Sequence, residues 1–267
     1  MNIIVCVKQV PDPEIPPSQF RNDAATNKVI PPQGVKPVVS PFDLNAVEIA
    51  LRMKEKAGEG KVTALSLGTS IERDVVKQAV AMGADDLVLV EDPALDGGDS
   101  FATAYALAQA IKKIGDYDVI MCGRQAADWD AGLVGAGLAE ILGLPFVSII
   151  QAAEGVDGKV RAQRVMPDGY EVFEVPTPCV LTVSNEGGEP RYPSMRGIMA
   201  AGRKQPVVWS AADIGVDASQ AGAAGSKTKL LSLYQPQIEA RCEMIEGENP
   251  VEAGANLALR LREDRII

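Results

Sequence analysis

Five short apolar runs alternate with four helix-like stretches over the first 150 residues, and this alternation constrains the fold more than any other feature of the chain. The runs are Asn2 to Lys8, Lys61 to Leu67, Asp86 to Val90, Val119 to Cys122 and Phe146 to Ile150. After the first run, the proline-rich stretch Val10 to Pro17 cannot be helix, and Ser18 to Val39 reads as irregular or hairpin-like. A helix then opens near Ser40-Pro41-Phe42-Asp43, where Ser40 or Asp43 can cap it. It carries Ala46, Val47, Ile49, Ala50, Leu51 and Met53 on one face and stops at Gly58. Further helices are predicted over Ile71 to Met82 (ended by Gly83), Phe101 to Ile114 (capped by Gly97-Gly98-Asp99-Ser100) and Leu133 to Leu142 (ended by Gly143). Such alternation predicts an α/β fold with a mostly parallel, doubly wound sheet and right-handed crossovers. A ligand of such a sheet lies beyond the carboxyl ends of its strands. That rule gathers four segments around one crevice: Cys6-Val7-Lys8, Leu67-Gly68-Thr69, Glu91 to Asp99, and Gly123 to Val134.

The last of these segments carries the most specific chemistry. An apolar strand feeds the loop Gly123-Arg124-Gln125-Ala126-Ala127-Asp128-Trp129-Asp130-Ala131-Gly132 and then a helix start at Leu133-Val134. Unpaired N–H groups and the positive end of a helix dipole there suit an anion, most often a phosphate. The loop matches neither common glycine-rich phosphate motif, and the residues alone leave a phosphate role and an ordinary strand-to-helix turn both open.

Charge and composition narrow the function classes. With 36 acidic against 26 basic residues, the net charge of −10 disfavours a broad nucleic-acid or anionic-membrane surface, so an anionic ligand must be held locally. The absence of histidine removes the commonest general base and metal ligand, and with them Ser-His-Asp and Cys-His mechanisms. Cys6, Cys122, Cys179 and Cys242 are far apart, three of them in apolar runs, and read as buried free thiols rather than a disulfide or metal set. No metal site and no catalytic residue is nominated. An acid/base pair of Asp128 and Asp130 is the enzyme reading; carboxylates so placed in a loop more often cap or accept hydrogen bonds. The opening run lacks the pattern of a signal peptide and no apolar run is long enough to span a bilayer, so the expectation is a cytoplasmic protein without membrane insertion.

From Ala153 the hydrophobic period changes to two. Lys159 to Val165, Tyr170 to Val175 and Cys179 to Val183 read as antiparallel strands extending the same sheet, with turns at Asp157-Gly158 and Asp168-Gly169. The domain reading is a nucleotide-binding α/β unit over 1–210 that includes a loop and short helix at about 185–204. A linker at 211–229, rich in Ala, Gly, Ser and Asp over its first part, and a C-terminal arm over 230–267 follow. The arm's helix, about Pro250 to Glu263, is expected to bury Val251, Leu257, Leu259 and Leu261. In the 185–204 segment Tyr192, Met195, Ile198 and Met199 suit a partner-binding anchor, against the plainer reading of a surface helix packed on its own domain.

Several motifs together carry a family resemblance over essentially the whole length. They are V-C-V-K-Q-V-P-D from Val5, S-P-F-D-L-N-A-V-E-I-A-L from Ser40, A-M-G-A-D from Ala81 and C-G-R-Q-A-A-D-W-D from Cys122. D-G-Y-E-V-F-E-V-P-T-P-C-V-L-T from Asp168 and E-P-R-Y-P-S-M-R-G-I-M-A-A from Glu189 complete the set. The chain resembles the beta (small) subunit of electron transfer flavoproteins, the FixA-like family. The resemblance implies an electron carrier in a heterodimer with an alpha subunit that holds the main FAD. It would take electrons from acyl-CoA-type or other flavin dehydrogenases, or from NADH, and pass them to a quinone reductase, ferredoxin or other acceptor.

Carried over residue by residue, the resemblance lines an adenine nucleotide with Cys6, Ser40, Pro41, Phe42, Asp43, Leu67 and the loop Gly123 to Val134. It brings Phe42 toward the partner's flavin and makes 189–204 a recognition loop anchored by Met195. In what this resemblance implies, one branch of the family holds AMP in this crevice; the other holds a second FAD, takes a hydride from NADH and splits the electron pair between a high- and a low-potential acceptor. Gly123-Arg124-Gln125-Ala126, Val134-Gly135 and Gly98-Asp99-Ser100-Phe101-Ala102-Thr103 resemble the two-flavin branch. Trp129, where that branch has glycine, and Leu133, where it has a polar residue, depart from it. A free-standing adenine-nucleotide-binding module on the same layout is the alternative of another class.

Overall fold

A computed structural model of the chain describes residues 1–236 and 242–267. In chain order its strands are β1 (Asn2–Cys6), β2 (Gln9–Val10), β3 (Arg21–Asp23), β4 (Lys28–Ile30), β5 (Val38–Val39), β6 (Lys61–Gly68), β7 (Asp86–Glu91), β8 (Val119–Gly123), β9 (Phe146–Val156), β10 (Lys159–Met166), β11 (Gly169–Pro176), β12 (Cys179–Val183) and β13 (Val207–Trp209). The helices are α1 (Pro41–Ala57), α2 (Arg73–Val76), α3 (Gln78–Met82), α4 (Ser100–Ile114), α5 (Val134–Leu142), α6 (Met195–Arg203), α7 (Gly222–Gly225) and α8 (Pro250–Glu263).

Nine strands form one sheet in the order β11-β10-β9-β12-β8-β1-β6-β7-β13. The seven from β9 to β13 run parallel, and β10 and β11 extend the sheet antiparallel beyond β9. One face packs on α1, α3 and α6 through residues such as Ile3, Val5, Met53, Leu87 and Leu181. The other packs on α4 and α5 through Ile4, Leu65, Ile111, Ile120 and Leu138. The middle strands are buried on both faces, which is why they read as unbroken apolar runs. Each fully buried Leu or Ile there contributes roughly 1.5–3 kcal/mol.

Local signals place the helix ends. Pro41 opens α1, whose last turn carries Lys54 and Lys56, and Gly58 caps it at φ +74°. Asp99 caps α4 by accepting from the N–H groups of Phe101 and Ala102. Asp157-Gly158, both at positive φ, make the two-residue turn between β9 and β10.

The structure corrects five expectations. Cys242, expected to be buried like the other three cysteines, is exposed. Cys179–Val183 is not antiparallel: it inserts between β8 and β9 and pairs parallel with both. Its five consecutive buried residues are the signature of an interior parallel strand. The single helix expected over Ile71 to Met82 is two short ones, α2 and α3. The stretch 211–226 is no free linker, because Ala211, Ile214 and Ala221 are buried against the α4 side of the sheet; its small residues permit close packing. In α8, capped by Asn249, none of the apolar residues is buried among the described residues.

Residues 9–39 form two small antiparallel pairings, β2 with β5 and β3 with β4. The arm begins against the second of these, the N–H of Leu233 donating to Asn27 Oδ1 at 2.9 Å. Residues 237–241 of the arm lie outside the described residues. No helix among the described residues is long and apolar enough to cross a membrane.

Candidate functional site

The winding direction of the sheet reverses between β1 and β8, which lie side by side with α1 following one and α5 the other. That is where an open parallel sheet offers a crevice. Two loops meet there, and the contacts between them are detailed. Ser40 Oγ, buried at the start of α1, accepts from the N–H of Ala127 at 3.3 Å rather than capping its own helix. Asp43 Oδ2 accepts from the N–H of Lys8 at 2.8 Å and Oδ1 from the N–H of Gly123 at 2.9 Å. Lys8 Nζ donates to both oxygens of Asp128, at 2.8 and 2.7 Å. The Arg124 guanidinium lies over the Phe42 ring, 5.1 Å from its centroid, and donates to Ser184 Oγ at 3.3 Å. Three of the four residues in Ser40-Pro41-Phe42-Asp43 thus serve as a template for the first half of the 123–132 loop.

Gly123 is glycine because of this template. A Cβ there would lie 2.5 Å from Asp43 Oδ1 and 2.7 Å from Phe42 Cβ. The start of α5 is equally close-set: a Cβ on Gly135 would lie 2.3 Å from Thr182 Cγ2. The second half of the loop closes on itself, Gln125 Nε2 donating to Asp130 Oδ1 at 2.9 Å and the N–H of Asp130 to Ala126 O at 3.0 Å. Asp130, at φ +49°, and Gly132, at φ +64°, make the reversal into α5.

Burial sets the electrostatics. Asp43 is out of solvent, and desolvation pushes its carboxyl up to about 7 against the pull of the Lys8 and Gly123 amides and the Lys8 charge. Cys6 and Cys122 lie on adjacent strands beneath it. The neighbouring Cys6 thiol and burial together raise the Cys122 thiol well above its usual range, so Cys122 is no thiolate nucleophile.

The site residues expected from the sequence separate into groups. Cys6, Ser40, Phe42, Asp43, Gly123, Arg124, Ala127 and Asp128 are drawn together by the contacts above, with Pro41, Gln125 and Ala126 between them. Leu67 and Gly68 end the strand beside β1, and the N–H of Val7 donates to Leu65 O on that strand. Trp129 and Leu133 project outward, 54% and 61% exposed, with Ala131 and Gly132 between them and Val134 opening α5. Asp99 is bonded elsewhere: besides capping α4, its Oδ2 accepts from the N–H groups of Lys227 and Thr228. Although burial opposes it, these amide bonds hold its carboxyl below the usual range. Asp128 and Asp130 are each engaged as acceptors, by Lys8 and Gln125.

Two features escaped the sequence-based site. Lys8 was placed at the crevice by strand order but not nominated as a ligand, although its ammonium spans the two loops. A hollow of about 410 Å³ on the far flank of the loop is lined by Arg124, Gln125, Asp130, Ser148, Ile149 and Thr182. It lies over a bulge in β9, where Ile149 takes φ +56° and its N–H donates to Thr182 Oγ1. Only a long-range pairing reveals that bulge.

The segment expected to bind a partner forms a separate surface. Ser194 caps α6, and a Cβ on Gly197 would lie 2.2 Å from Ala81 O, so the helix sits hard on α3. Ala201 faces inward. Tyr192 (95% exposed), Met195 (76%), Ile198 and Met199 face out. Among the described residues no cluster of His, Cys, Asp or Glu could hold a metal ion.

A family model described as electron transfer flavoprotein domain matches residues 28–214. The chain is 41% identical over 268 residues, covering all of both sequences, to "Electron transfer flavoprotein subunit beta" of Thermoanaerobacterium thermosaccharolyticum. It is 36% identical over 267 residues, again covering both in full, to "Caffeyl-CoA reductase-Etf complex subunit CarD" of Acetobacterium woodii. It is 33% identical to "Protein FixA" of Azotobacter vinelandii over 257 residues, 93% of this chain and 89% of that one.

Proposed function

The chain belongs to the electron transfer flavoprotein family, on its beta-subunit, FixA-like side, and we propose that it forms a heterodimer with an alpha subunit and carries an adenine-nucleotide cofactor in the β1/β8 crevice. The observation that carries this reading is the interlocking of Ser40, Asp43 and Lys8 with Gly123, Ala127 and Asp128 at the switch point of the sheet. The residues fit an anionic nucleotide. Arg124 brings positive charge to the loop of an otherwise acidic chain, Lys8 offsets the Asp128 carboxylate, and Gly123 lets the loop lie close on α1.

The crevice nucleotide in this reading is a second FAD, with AMP as the single-flavin alternative. Gly123-Arg124-Gln125-Ala126 favours the flavin, and the outward Trp129 and Leu133 leave the crevice floor to smaller groups. A flavin supplies reversible one- and two-electron chemistry, which allows electrons to be collected from NADH or a flavin dehydrogenase and delivered to a quinone reductase, ferredoxin or another acceptor. The chain's own residues bind and orient: Lys8 and Arg124 offset negative charge, and the loop keeps its shape through Asp43 and Ser40.

Need for a partner is supported by what the chain leaves uncovered. Tyr170 and Val172 on the edge strand β11, and Val251, Leu257 and Leu259 on α8, are exposed apolar groups that none of the described residues covers. A free-standing nucleotide-binding module has no use for them.

The test is to purify the chain with its alpha subunit, release bound nucleotides with acid, and count them. Two FAD per heterodimer support the two-flavin reading. One FAD and one AMP reduce it to a single-flavin shuttle. A folded, nucleotide-binding chain that never pairs with an alpha subunit overturns the heterodimer.

A further inference from the structure

The hairpin of β3 and β4 is too small to stand alone: each strand has three residues, and an isolated two-stranded hairpin is marginal in water. Its ion pair to the 92–99 loop, Lys28 with Asp96, is solvent-exposed at both ends and adds little. Its turn is set from within. Asp23 accepts from the N–H of Ala25 at 2.9 Å and from Thr26 Oγ1 at 2.7 Å, and Asn27 takes φ +52°, which asparagine adopts more readily than most residues. The hairpin turns two half-buried asparagine amides toward the arm. The N–H of Leu233 donates to Asn27 Oδ1 at 2.9 Å, and Leu233 O accepts from Asn22 Nδ2 at 2.6 Å. Asn27 Nδ2 also reaches Leu231 O, at 3.5 Å. Together the two side chains give Leu233 the donor and the acceptor that a neighbouring strand would supply. Leu233 is also the one residue of 227–236 that is not exposed.

The chain on either side of this contact behaves differently. Upstream it is tied to the 92–99 loop: the N–H of Ala223 donates to Asp96 O, and those of Lys227 and Thr228 to Asp99 Oδ2. Downstream, among the described residues, every hydrogen bond and ion pair of 242–267 joins two residues of that same stretch. We propose that the β3–β4 hairpin is the docking surface for the root of this chain's own arm, with Asn22 and Asn27 as its positioning residues. By pinning Leu233 they order the chain that leads to α8, so that the distal stretch is presented to the partner subunit from a fixed point. A segment ordered beforehand loses less conformational freedom on binding. The benefit to the partner rests on the heterodimer proposed above; the docking of the root rests only on the contacts of Asn22 and Asn27.

The experiment takes the chain complexed with its alpha subunit, as wild type, Asn22→Leu, Asn27→Gly and Asn27→Asp. It reads hydrogen exchange at the Leu233 amide, the dissociation constant of the heterodimer and the nucleotide bound per heterodimer. Asn27→Gly keeps the positive φ and removes the side-chain amide. Protection at Leu233 should fall about tenfold and the dissociation constant should rise about tenfold, as in Asn22→Leu. Asn27→Asp keeps the acceptor for the Leu233 N–H and should lie between wild type and Asn27→Gly. Amides in the middle of β6 and the nucleotide content should match wild type in all three variants, because the recorded bonds of the two asparagine side chains go to the arm and not to the crevice. Unchanged protection at Leu233 in both Asn22→Leu and Asn27→Gly overturns the docking. Lost protection with an unchanged dissociation constant overturns its service to the partner, and an Asn27→Asp no better than Asn27→Gly shows that the bond is not what matters. If the variants lose β6 protection as well, the hairpin is part of the fold and not a docking surface, and the proposal falls. If the wild type never pairs with an alpha subunit, the heterodimer reading falls, and exchange at Leu233 in the full chain still judges the docking.

Discussion

Arg191 reaches back across 143 positions to Glu48 on α1, its Nε donating to Oε2 at 2.7 Å while its own backbone N–H donates to the same oxygen at 3.1 Å. The guanidinium also pairs with Glu55, about two helical turns further along α1. Burial would raise the Glu48 carboxyl, yet Arg191 and then Arg52 hold it below the usual range. This clasp fixes the approach to α6 and so the direction in which Met195 points. Arg191→Ala should cost about 1–3 kcal/mol in chemical denaturation, since it removes two of the four hydrogen bonds to the buried Glu48 carboxylate, leaving the backbone N–H and Arg52. Arg191→Lys should recover only part, because an ammonium cannot reproduce the fork of bonds to two carboxylates.

Met195 gives the opposite signature. It is largely exposed and contributes nothing to the core, so Met195→Glu should leave the unfolding free energy within about 0.5 kcal/mol of wild type. If the segment is the docking anchor, electron delivery from the partner dehydrogenase should slow by about 30-fold or more, the cost of one hot-spot residue. Unchanged kinetics at saturating and limiting dehydrogenase would remove the segment from the docking surface.

Gly123→Ala tests the close packing of the loop on α1. The added methyl would meet Asp43 Oδ1 and Phe42 Cβ well inside contact distance, so a loss of about 2–4 kcal/mol is expected, with release of the bound nucleotide. Gly202→Ala, on α6 where a Cβ meets open space, is the control and should be nearly neutral in a melting experiment.

The acidity of Asp43 predicts a pH dependence of definite sign. Burial raises its carboxyl from 3.8 to about 7 in the folded chain. Its contribution to stability is therefore fully present below about pH 4 and is lost as the pH rises through about 7. Glu48, Asp86, Glu91 and Asp99 have lowered values and behave in the reverse sense, but they are common to wild type and Asp43→Asn and cancel in the difference. The unfolding free energy of wild type minus that of Asp43→Asn should climb as the pH is taken from 7 toward 4, by at most about 1.4 kcal/mol per pH unit. A flat difference would mean that the buried carboxyl does not titrate there.

The order of strands and helices was legible because it depends on local pattern: apolar runs, glycine stops, Asp and Asn caps. The bounds of α1, α5 and α8 follow Gly58, Gly143 and Asn249 closely. Strand direction was less accessible. Cys179–Val183 follows two antiparallel strands and was read as a third, although five buried residues in succession already distinguished it from the exposed β11. Strand order places the ends of β1 and β8 side by side, as they are, but it does not reveal contacts between residues far apart in the chain, such as Asp43 with Gly123, 80 positions away, and Lys8 with Asp128, 120 away. Nothing in the residues near Asp43 announces that its oxygens are already taken by backbone. The 211–226 stretch misled for a related reason: Ala, Gly and Ser serve a loose tether and a tight surface equally well, and only the position of α4 distinguishes them.

The insertion of β12 between β8 and β9 has a consequence for how the chain comes into being. Both neighbours of that strand leave the ribosome before it does, so the first 176 residues cannot complete the middle of the sheet: β8 and β9 have no edge to share until residues 179–183 arrive. Until then the edges of β8 and β9 that face the slot lack their partner, and the late strand pairs with both. The crevice, whose floor includes the end of β8, borders that slot, and a nascent chain that ends inside the hairpin leaves an open sheet edge exposed.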